Sequence, residues 1–217
     1  MDPTTESLLA VAASALSSVD DSAEGEMSDD PDGTFLLKRG ATFAEYEEAR
    51  EQHRAQMIDG DLWLFAPASS GHQGAALELG TLLAPARERA DGSGWVILPD
   101  INLQLGPRSV YSPDLAGWRR ARMPIIPDTA AITLAPDWIC ELLSDRTEAY
   151  DRGRKMRVYR REGVGWYWIV DPRIRTLEVY RLENGRYVLL DTWEGEEKVR
   201  AEPFEAIELD LAFLWAR

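Results

Sequence analysis

The chain lacks sequence features on which four classes of protein depend. Its one cysteine, Cys140, cannot form an internal disulfide, and two histidines with one cysteine exclude a zinc site of the Cys/His kind. No apolar run approaches the roughly 20 residues that span a bilayer. No lysine or arginine precedes Lys38, so the positive start of a secretory signal is missing. We therefore expect a cytoplasmic protein that does not enter a membrane.

The net charge of −14 argues at first against a nucleic-acid binder, but the charge is unevenly distributed. Residues 1–33 contain nine acidic residues and no basic residue. Residues 146–161 contain seven basic residues against two acidic ones, and Arg119, Arg120 and Arg122 form a second basic group. A locally basic face can accept a phosphate backbone even on an acidic protein.

The length of 217 residues suits one domain of ordinary size with an appendage. Residues 1–33 are rich in alanine, serine and acids and end in a turn-like Asp-Pro-Asp-Gly sequence. We expect them to form an acidic, flexible extension, with a short helix from Asp2 to Leu16 as the alternative. The rest of the chain, 34–217, is predicted to be one domain.

Helix and strand signals alternate along residues 34–217. Thr42 and Glu45 have the spacing of a capping box, at the start of a helix that we expect to reach Gln56. Further helices are predicted over 71–90 and 146–162. Strands are predicted over 61–66, 95–98, 101–105, 109–118, 137–143, 165–170, 175–182 and 186–192, and a short strand and a helical turn over 205–215. This order indicates an α/β or α+β class with a mixed sheet.

Two carboxylates fall on segments that are predicted to be buried strands. Glu141 interrupts an apolar strand face that it shares, by the alternation of a strand, with Ile139 and Leu143. Asp114 follows Pro113, whose missing N–H marks an edge, a bulge or the end of strand pairing. Charged side chains are rarely buried without a partner or a metal, and two carboxylates on neighbouring strands can hold Mg²⁺.

The helix after Glu141 supplies a third group. Asp151, Lys155 and Tyr159 follow one another at intervals of four residues, so they lie on one stripe of the helix. If this helix packs on the sheet, Lys155 can reach a metal-bound water or a phosphate. A metal that acidifies water and an ammonium that neutralises developing charge are the parts that phosphodiester hydrolysis requires.

Each of these signals also has a plainer explanation. Glu141 could form a structural ion pair with Lys155 or Arg154. Asp114 could be a turn acid after proline. Asp151 and Lys155 could be a surface pair, since residues four apart on a helix are neighbours.

An ordered series of short motifs runs through the chain. It comprises Ile58-Asp59-Gly60-Asp61-Leu62, His72, Ser112-Pro113-Asp114, Glu141-Leu142-Leu143-Ser144, Asp151…Lys155…Tyr159, Gly163-Val164 and Tyr167-Trp168-Ile169-Val170-Asp171-Pro172. Over roughly residues 40–215 this series resembles the Uma-two restriction endonucleases of the PD-(D/E)XK nuclease superfamily. The resemblance implies an α/β, restriction-endonuclease-like fold, in which helices flank a central mixed β-sheet. It also implies Mg²⁺ or Mn²⁺ on Asp114 and Glu141.

The resemblance further implies where the catalytic lysine stands. The simple superfamily motif places it two residues after the glutamate, where this chain has Leu143. The Uma-two pattern instead places it on the following helix, where Lys155 matches it. Many relatives have a glutamate where this chain has Gln56. A glutamine can donate an oxygen ligand to a metal, but it brings no charge. His72 could lean into the site or be a capping or surface histidine.

The sequence therefore predicts a Mg²⁺-dependent endonuclease that hydrolyses the phosphodiester bonds of DNA. Asp114, Glu141 and Lys155 are its expected catalytic residues. The secondary candidates are Gln56, His72, Asp151 and Tyr159. Arg154, Arg157 or the Arg119–Arg122 group would contact flanking phosphates.

Two further expectations accompany this function. A homodimer would serve an endonuclease that cuts both strands of a duplex, because such an enzyme often needs two sites. The alternative to an enzyme is a catalytically weak or inactive module of the same fold, which binds nucleic acid or a protein partner, since a fold does not by itself determine a function.

Overall fold

The computed structural model describes residues 34–65, 67–87, 93–145 and 147–215. The extension predicted over 1–33 lies outside these residues. The chain divides into two compact units, of which unit 1 comprises Met1–Pro67, Gln104–Tyr111 and Asp145–Thr147. Unit 2 comprises Ala68–Leu103, Ser112–Ser144 and Glu148–Arg217. The single domain expected over 34–217 stays a prediction.

In unit 1, helix α1 (Phe43–Gln52) packs on one face of a small sheet. The strands of this sheet are β1 (Thr34–Lys38), β2 (Arg54–Ile58), β3 (Asp61–Phe65), β5 (Leu103–Gln104) and β6 (Val110–Tyr111). Among the described residues their order in the sheet is β1-β3-β2-β6-β5. Buried apolar side chains join α1 to this sheet: Tyr46, Ala55, Met57, Leu62, Leu64 and Val110.

Helix α1 ends earlier than the sequence indicates. Its capping box at Thr42 and Glu45 is confirmed, but the helix stops at Gln52, so the predicted end at Gln56 is wrong. Asp59 and Gly60 both have positive φ, +52° and +94°, and form the tight turn between β2 and β3. Because this turn pairs the residues on either side of it, Gln56 lies opposite Trp63 in a hairpin.

Unit 2 is built on a second sheet. Its strands are β4 (Trp95–Pro99), β7 (Leu115–Arg119), β8 (Trp138–Leu142), β9 (Trp166–Asp171), β10 (Thr176–Glu183) and β11 (Arg186–Glu194). In the described part of the chain their order is β11-β10-β9-β8-β7-β4. Strand β8 is parallel to β9, and the other neighbouring strands are antiparallel, so the predicted mixed sheet is confirmed.

One face of this sheet carries the main apolar core. Trp138, Cys140 and Leu142 alternate along β8 toward this core, as the sequence predicts. Three helices contribute to this core: α2 (Ser70–Leu82), α3 (Ala84–Arg87) and α5 (Ala212–Trp215). The short pair β12 (Lys198–Val199) and β13 (Leu209–Asp210) also contributes. Within the described residues, no helix is both long and apolar enough to cross a bilayer.

Helix α4 (148–161) contacts the opposite face of the sheet. It consists of an α-helical turn Glu148–Tyr150, a π-helical turn Asp151–Lys155 and a second α-helical part, Met156–Arg161. Gly163 ends it with φ +78°, and the N–H groups of Gly163 and Val164 donate to the carbonyls of Arg160 and Tyr159. This is the Schellman pattern that glycine favours, so the helix end is well defined.

We expect the capping box of α1 to contribute measurably to stability. The Oγ of Thr42 accepts the N–H of Glu45, and the Glu45 carboxylate accepts the N–H of Thr42 at 2.7 Å. Thr42→Ala should lower the free energy of unfolding by about 1 kcal/mol in urea denaturation. Thr133→Ala, at an exposed loop threonine, is the control and should change it by less than about 0.5 kcal/mol. Equal effects of the two substitutions would contradict the role of the cap.

Candidate functional site

Strands β7 and β8 place the carboxylates of Asp114 and Glu141 side by side. Leu115 pairs with Cys140 in the antiparallel register, so the next position along places Asp114 opposite Glu141. The side chain of Glu141 is 1% exposed and that of Asp114 is 10% exposed. The two acids that the sequence singles out are therefore buried neighbours.

Both carboxylate oxygens of Asp114 contact protein groups. Its Oδ1 lies 2.8 Å from Nε2 of His72, and its Oδ2 accepts the N–H of Leu142 at 2.8 Å. His72 stands in the first turn of α2, where Ser69 is the N-cap and accepts the His72 N–H. Of the two possibilities for His72, the structure therefore favours the one in which its ring faces the carboxylates.

Glu141 is held by two donors from helix α4. Lys155 Nζ lies 2.8 Å from Oε2 of Glu141, and the Tyr159 hydroxyl donates to Oε1 at 2.7 Å. The stripe of Lys155 and Tyr159 thus faces the sheet, as the sequence predicts. Leu143, at the position of the lysine in the simple motif, is a buried apolar residue.

Asp151 completes the contacts of Lys155. Its Oδ1 lies 2.9 Å from Lys155 Nζ, and both side chains are buried, so the interpretation of this pair as a surface pair is wrong. The ring centre of Tyr150 lies 5.5 Å from the same ammonium. The sequence offers no signal for this last contact, because Tyr150 and Lys155 are five residues apart and meet only through the π-helical turn.

Three carboxylates surround one ammonium in this cluster. Burial raises the pKa of Glu141, and the charges of Asp151 and Asp114 raise it further although Lys155 opposes them. Burial by itself lowers the pKa of Lys155, but Asp151, Glu141 and Asp114 outweigh it and the pKa lies above the usual lysine value. Burial would also raise the pKa of Asp114, but His72, Lys155 and the Leu142 N–H hold it below its usual value. Full ionisation of the three carboxylates would therefore leave more negative charge than Lys155 balances.

A divalent metal would use Asp114 and Glu141 as ligands. Among the described residues, no three His, Cys, Asp or Glu side chains converge into a group that could hold a metal ion. Two carboxylates still fit Mg²⁺, because this ion keeps several waters and takes substrate phosphates as further ligands. A carboxylate can accept several contacts at once, and the excess negative charge favours a cation.

The remaining sequence-predicted residues differ in where they lie. Gln56 belongs to unit 1, on β2 and not on a helix, and its buried Oε1 accepts no hydrogen bond from the described residues. Its secondary role stays a prediction. Arg154 and Arg157 are exposed on α4, the helix that carries Lys155.

The Arg119–Arg122 group lies away from the carboxylates. Arg119 stands five residues beyond Asp114 along β7, about 16 Å at the usual rise of a strand. Its guanidinium lies 4.2 Å from the ring centre of Trp95, on the core face of the sheet and not on the face of Glu141. Arg122 pairs with Asp137 at 2.7 Å. Of the two basic groups, the arginines of α4 are thus the ones that share a helix with Lys155.

The chain is similar to a protein family and to a solved structure. The family model Uma2, described as "Putative restriction endonuclease", matches residues 41–212. A solved structure described as "a putative nuclease belonging to DUF820 from Anabaena variabilis ATCC 29413" is similar with a TM-score of 0.60 and 18% identity. That similarity covers 74% of this chain and 89% of the other and confirms the restriction-endonuclease-like fold. No curated protein sequence matches the chain.

We expect the excess charge to make metal-free stability depend on pH. Because burial raises the pKa of Glu141 in the folded protein to about 8, stability is lost as the pH rises from the ordinary glutamate value of 4.5 to about 8. Glu141→Gln cannot ionise, so its free energy of unfolding should increase relative to the unsubstituted protein over this window. Urea unfolding in a chelator, at pH values across the window, measures the difference.

Glu178→Gln is the matched control for this prediction. A hydrogen bond from Arg152 holds the pKa of Glu178 below its usual value, so this variant should lose stability relative to the unsubstituted protein as the pH rises. A Glu141→Gln curve parallel to that of the unsubstituted protein would contradict the charge argument.

Proposed function

Because this chain belongs to the Uma2 family, described as "Putative restriction endonuclease", we propose that it is a Mg²⁺-dependent endonuclease that hydrolyses phosphodiester bonds of DNA. The supporting observation is the buried group of Asp114, Glu141 and Lys155, in which two adjacent carboxylates meet an ammonium. Carboxylates that bind a hard cation and a cation that faces a phosphate are what this reaction requires.

Asp114 and Glu141 would hold the metal through their carboxylate oxygens. Mg²⁺ bound there would act as a Lewis acid on a phosphate oxygen and lower the pKa of a coordinated water. His72 and Tyr159 orient the two carboxylates, since each contacts one of them within 2.8 Å. Burial raises the pKa of Tyr159 well above its usual value, so its hydroxyl remains a donor to Glu141.

Lys155 acts in its protonated form. The carboxylates around it keep its pKa in the metal-free protein above the usual lysine value. Its ammonium would donate to a phosphate oxygen and stabilise the negative charge that grows there in the transition state.

Binding to the substrate backbone would come from the exposed arginines of α4. Arg154 and Arg157 share this helix with Lys155 and are exposed, so they are the arginines that would contact phosphates on either side of the reacting one. Such contacts position a duplex without reading its sequence.

A homodimer would place two sites on one duplex. Light scattering would detect it, and a monomer at micromolar concentration would remove this part of the proposal.

Plasmid nicking with Mg²⁺ or Mn²⁺ tests the activity. Asp114→Asn, Glu141→Gln and Lys155→Met should each lower the nicking rate by at least roughly 100-fold, as expected for groups that bind the metal or the transition state. The control is Glu178→Gln, which should cleave at the normal rate. Glu178 pairs with Arg152 of the same helix and lies on the same sheet face, two strands from Glu141 or about 10 Å.

The same assay separates the proposal from its rivals. Normal cleavage by all three site variants would show that another site acts, and cleavage of RNA but not of DNA would correct the substrate.

A second candidate, an inactive module that binds nucleic acid or a protein, is favoured by one observation. The carboxylate oxygens of Asp114 and Glu141 already accept contacts from His72, Lys155 and other donors. Calorimetry that detects no Mn²⁺ binding would support this module.

A further inference from the structure

We propose that Asp151 is a positioning residue that retains the Lys155 ammonium when a divalent cation occupies the Glu141 carboxylate. The proposal rests on the proposed function, because it concerns the same site once a metal is bound. It gives Asp151 a role that is separate from metal binding: Asp151 would contact Lys155 and not the ion.

The two carboxylates hold the ammonium at nearly equal distances. Lys155 Nζ lies 2.8 Å from Glu141 Oε2 and 2.9 Å from Asp151 Oδ1. A divalent cation on Glu141 would compete with the ammonium for that carboxylate and repel it at short range. The lysine side chain is flexible, so it moves away unless another anion holds it. Asp151 is that anion, since it already contacts Nζ.

The main chain fixes Asp151 where this contact is made. Asp151 begins the π-helical turn, and its carbonyl accepts the N–H of Met156. The same carbonyl accepts the hydroxyl of Tyr167 on β9 at 3.1 Å, which ties the turn to the sheet. The Tyr150 ring adds a cation–π contact to the ammonium. A π-helical turn inside a helix often marks a functional position.

A second cation of α4 provides an internal control. Arg152 contacts Glu148, four residues before it, at 3.1 Å and Glu178 of the sheet at 2.6 Å. This repeats the pattern of Lys155 with Asp151 and Glu141: one cation, one helix carboxylate and one sheet carboxylate. The Glu148–Arg152–Glu178 group is the more exposed of the two, and Glu178 is not a proposed metal ligand. Metal should therefore affect the first group and not the second.

A double-mutant cycle with Asp151→Asn and Lys155→Met tests the proposal. The shift in urea unfolding midpoint is measured for each variant in a chelator and in saturating Mn²⁺, and the non-additive part is the coupling between the two residues. We expect this coupling to be at least as large in Mn²⁺ as in the chelator. The coupling between Glu148→Gln and Arg152→Met should be the same in both buffers. If Lys155→Met does not fold, Lys155→Gln takes its place.

Kinetics of the full chain provide the second measurement. Asp151→Asn should lower kcat for plasmid nicking by roughly 10- to 100-fold, the loss typical of residues that support a metal site, and leave KM for DNA within about twofold. Asp151→Glu keeps the carboxylate and should recover part of the rate. Because a fraction of unfolded protein would also lower the apparent kcat at constant KM, the variants are compared under conditions in which their urea curves show each of them fully folded.

The outcomes separate the two proposals. Coupling that disappears in Mn²⁺, or normal kcat in Asp151→Asn, overturns the role of Asp151 even when the unsubstituted protein cleaves DNA. A protein that binds Mn²⁺ in calorimetry and keeps the coupling, but cleaves no DNA, supports the role of Asp151 and overturns the endonuclease. Calorimetry that detects no Mn²⁺ binding overturns both proposals.

Discussion

The buried ammonium of Lys155 is the interaction on which the site depends. It lies within 2.9 Å of Glu141 and Asp151 and carries the positive charge that the carboxylates around it share. Removing one partner of a buried ion pair typically costs about 3–5 kcal/mol, because the other charge is left without compensation. The packing of α4 on the sheet is therefore coupled to the ionisation of the site. A helix that moved outward would leave Glu141 buried and unpaired.

The sheet of unit 2 supplies the other half of this arrangement. Strand β8 lies between β7 and β9 and is buried along its length, so the acid on it cannot reach bulk water. One face of β8 forms the apolar core through Trp138, Cys140 and Leu142, and the other presents Glu141 to α4. Core side chains pack on this strand, and its register with β7 places the carboxylate of Glu141 beside that of Asp114. Stability and the proposed chemistry thus use opposite faces of one strand.

The excess of negative charge connects metal-free and metal-bound states of the proposed enzyme. Without metal, part of the excess is relieved by a raised pKa at Glu141 and by donors such as Tyr159. A divalent cation would remove it more completely, and would then compete with Lys155 for Glu141. The proposed role of Asp151 follows from this competition. A site of this kind is less stable than an apolar one, which is a common feature of sites built for function.

The sequence by itself determined most of the helices and strands from β3 to β11, but not β1 or β2. It also determined the apolar and acidic faces of β8, the stripe of Asp151, Lys155 and Tyr159, and the family. These follow from local periodicity and short motifs, which need no knowledge of distant contacts. Tertiary structure alone decided the end of α1, where hairpin pairing outweighed helix signals. It also decided the contact of His72 with Asp114, the separation of Arg119 from the site and the burial of Asp151. Each of these depends on which residues, far apart in the chain, the sheet register brings together, and periodicity carries no information about that pairing.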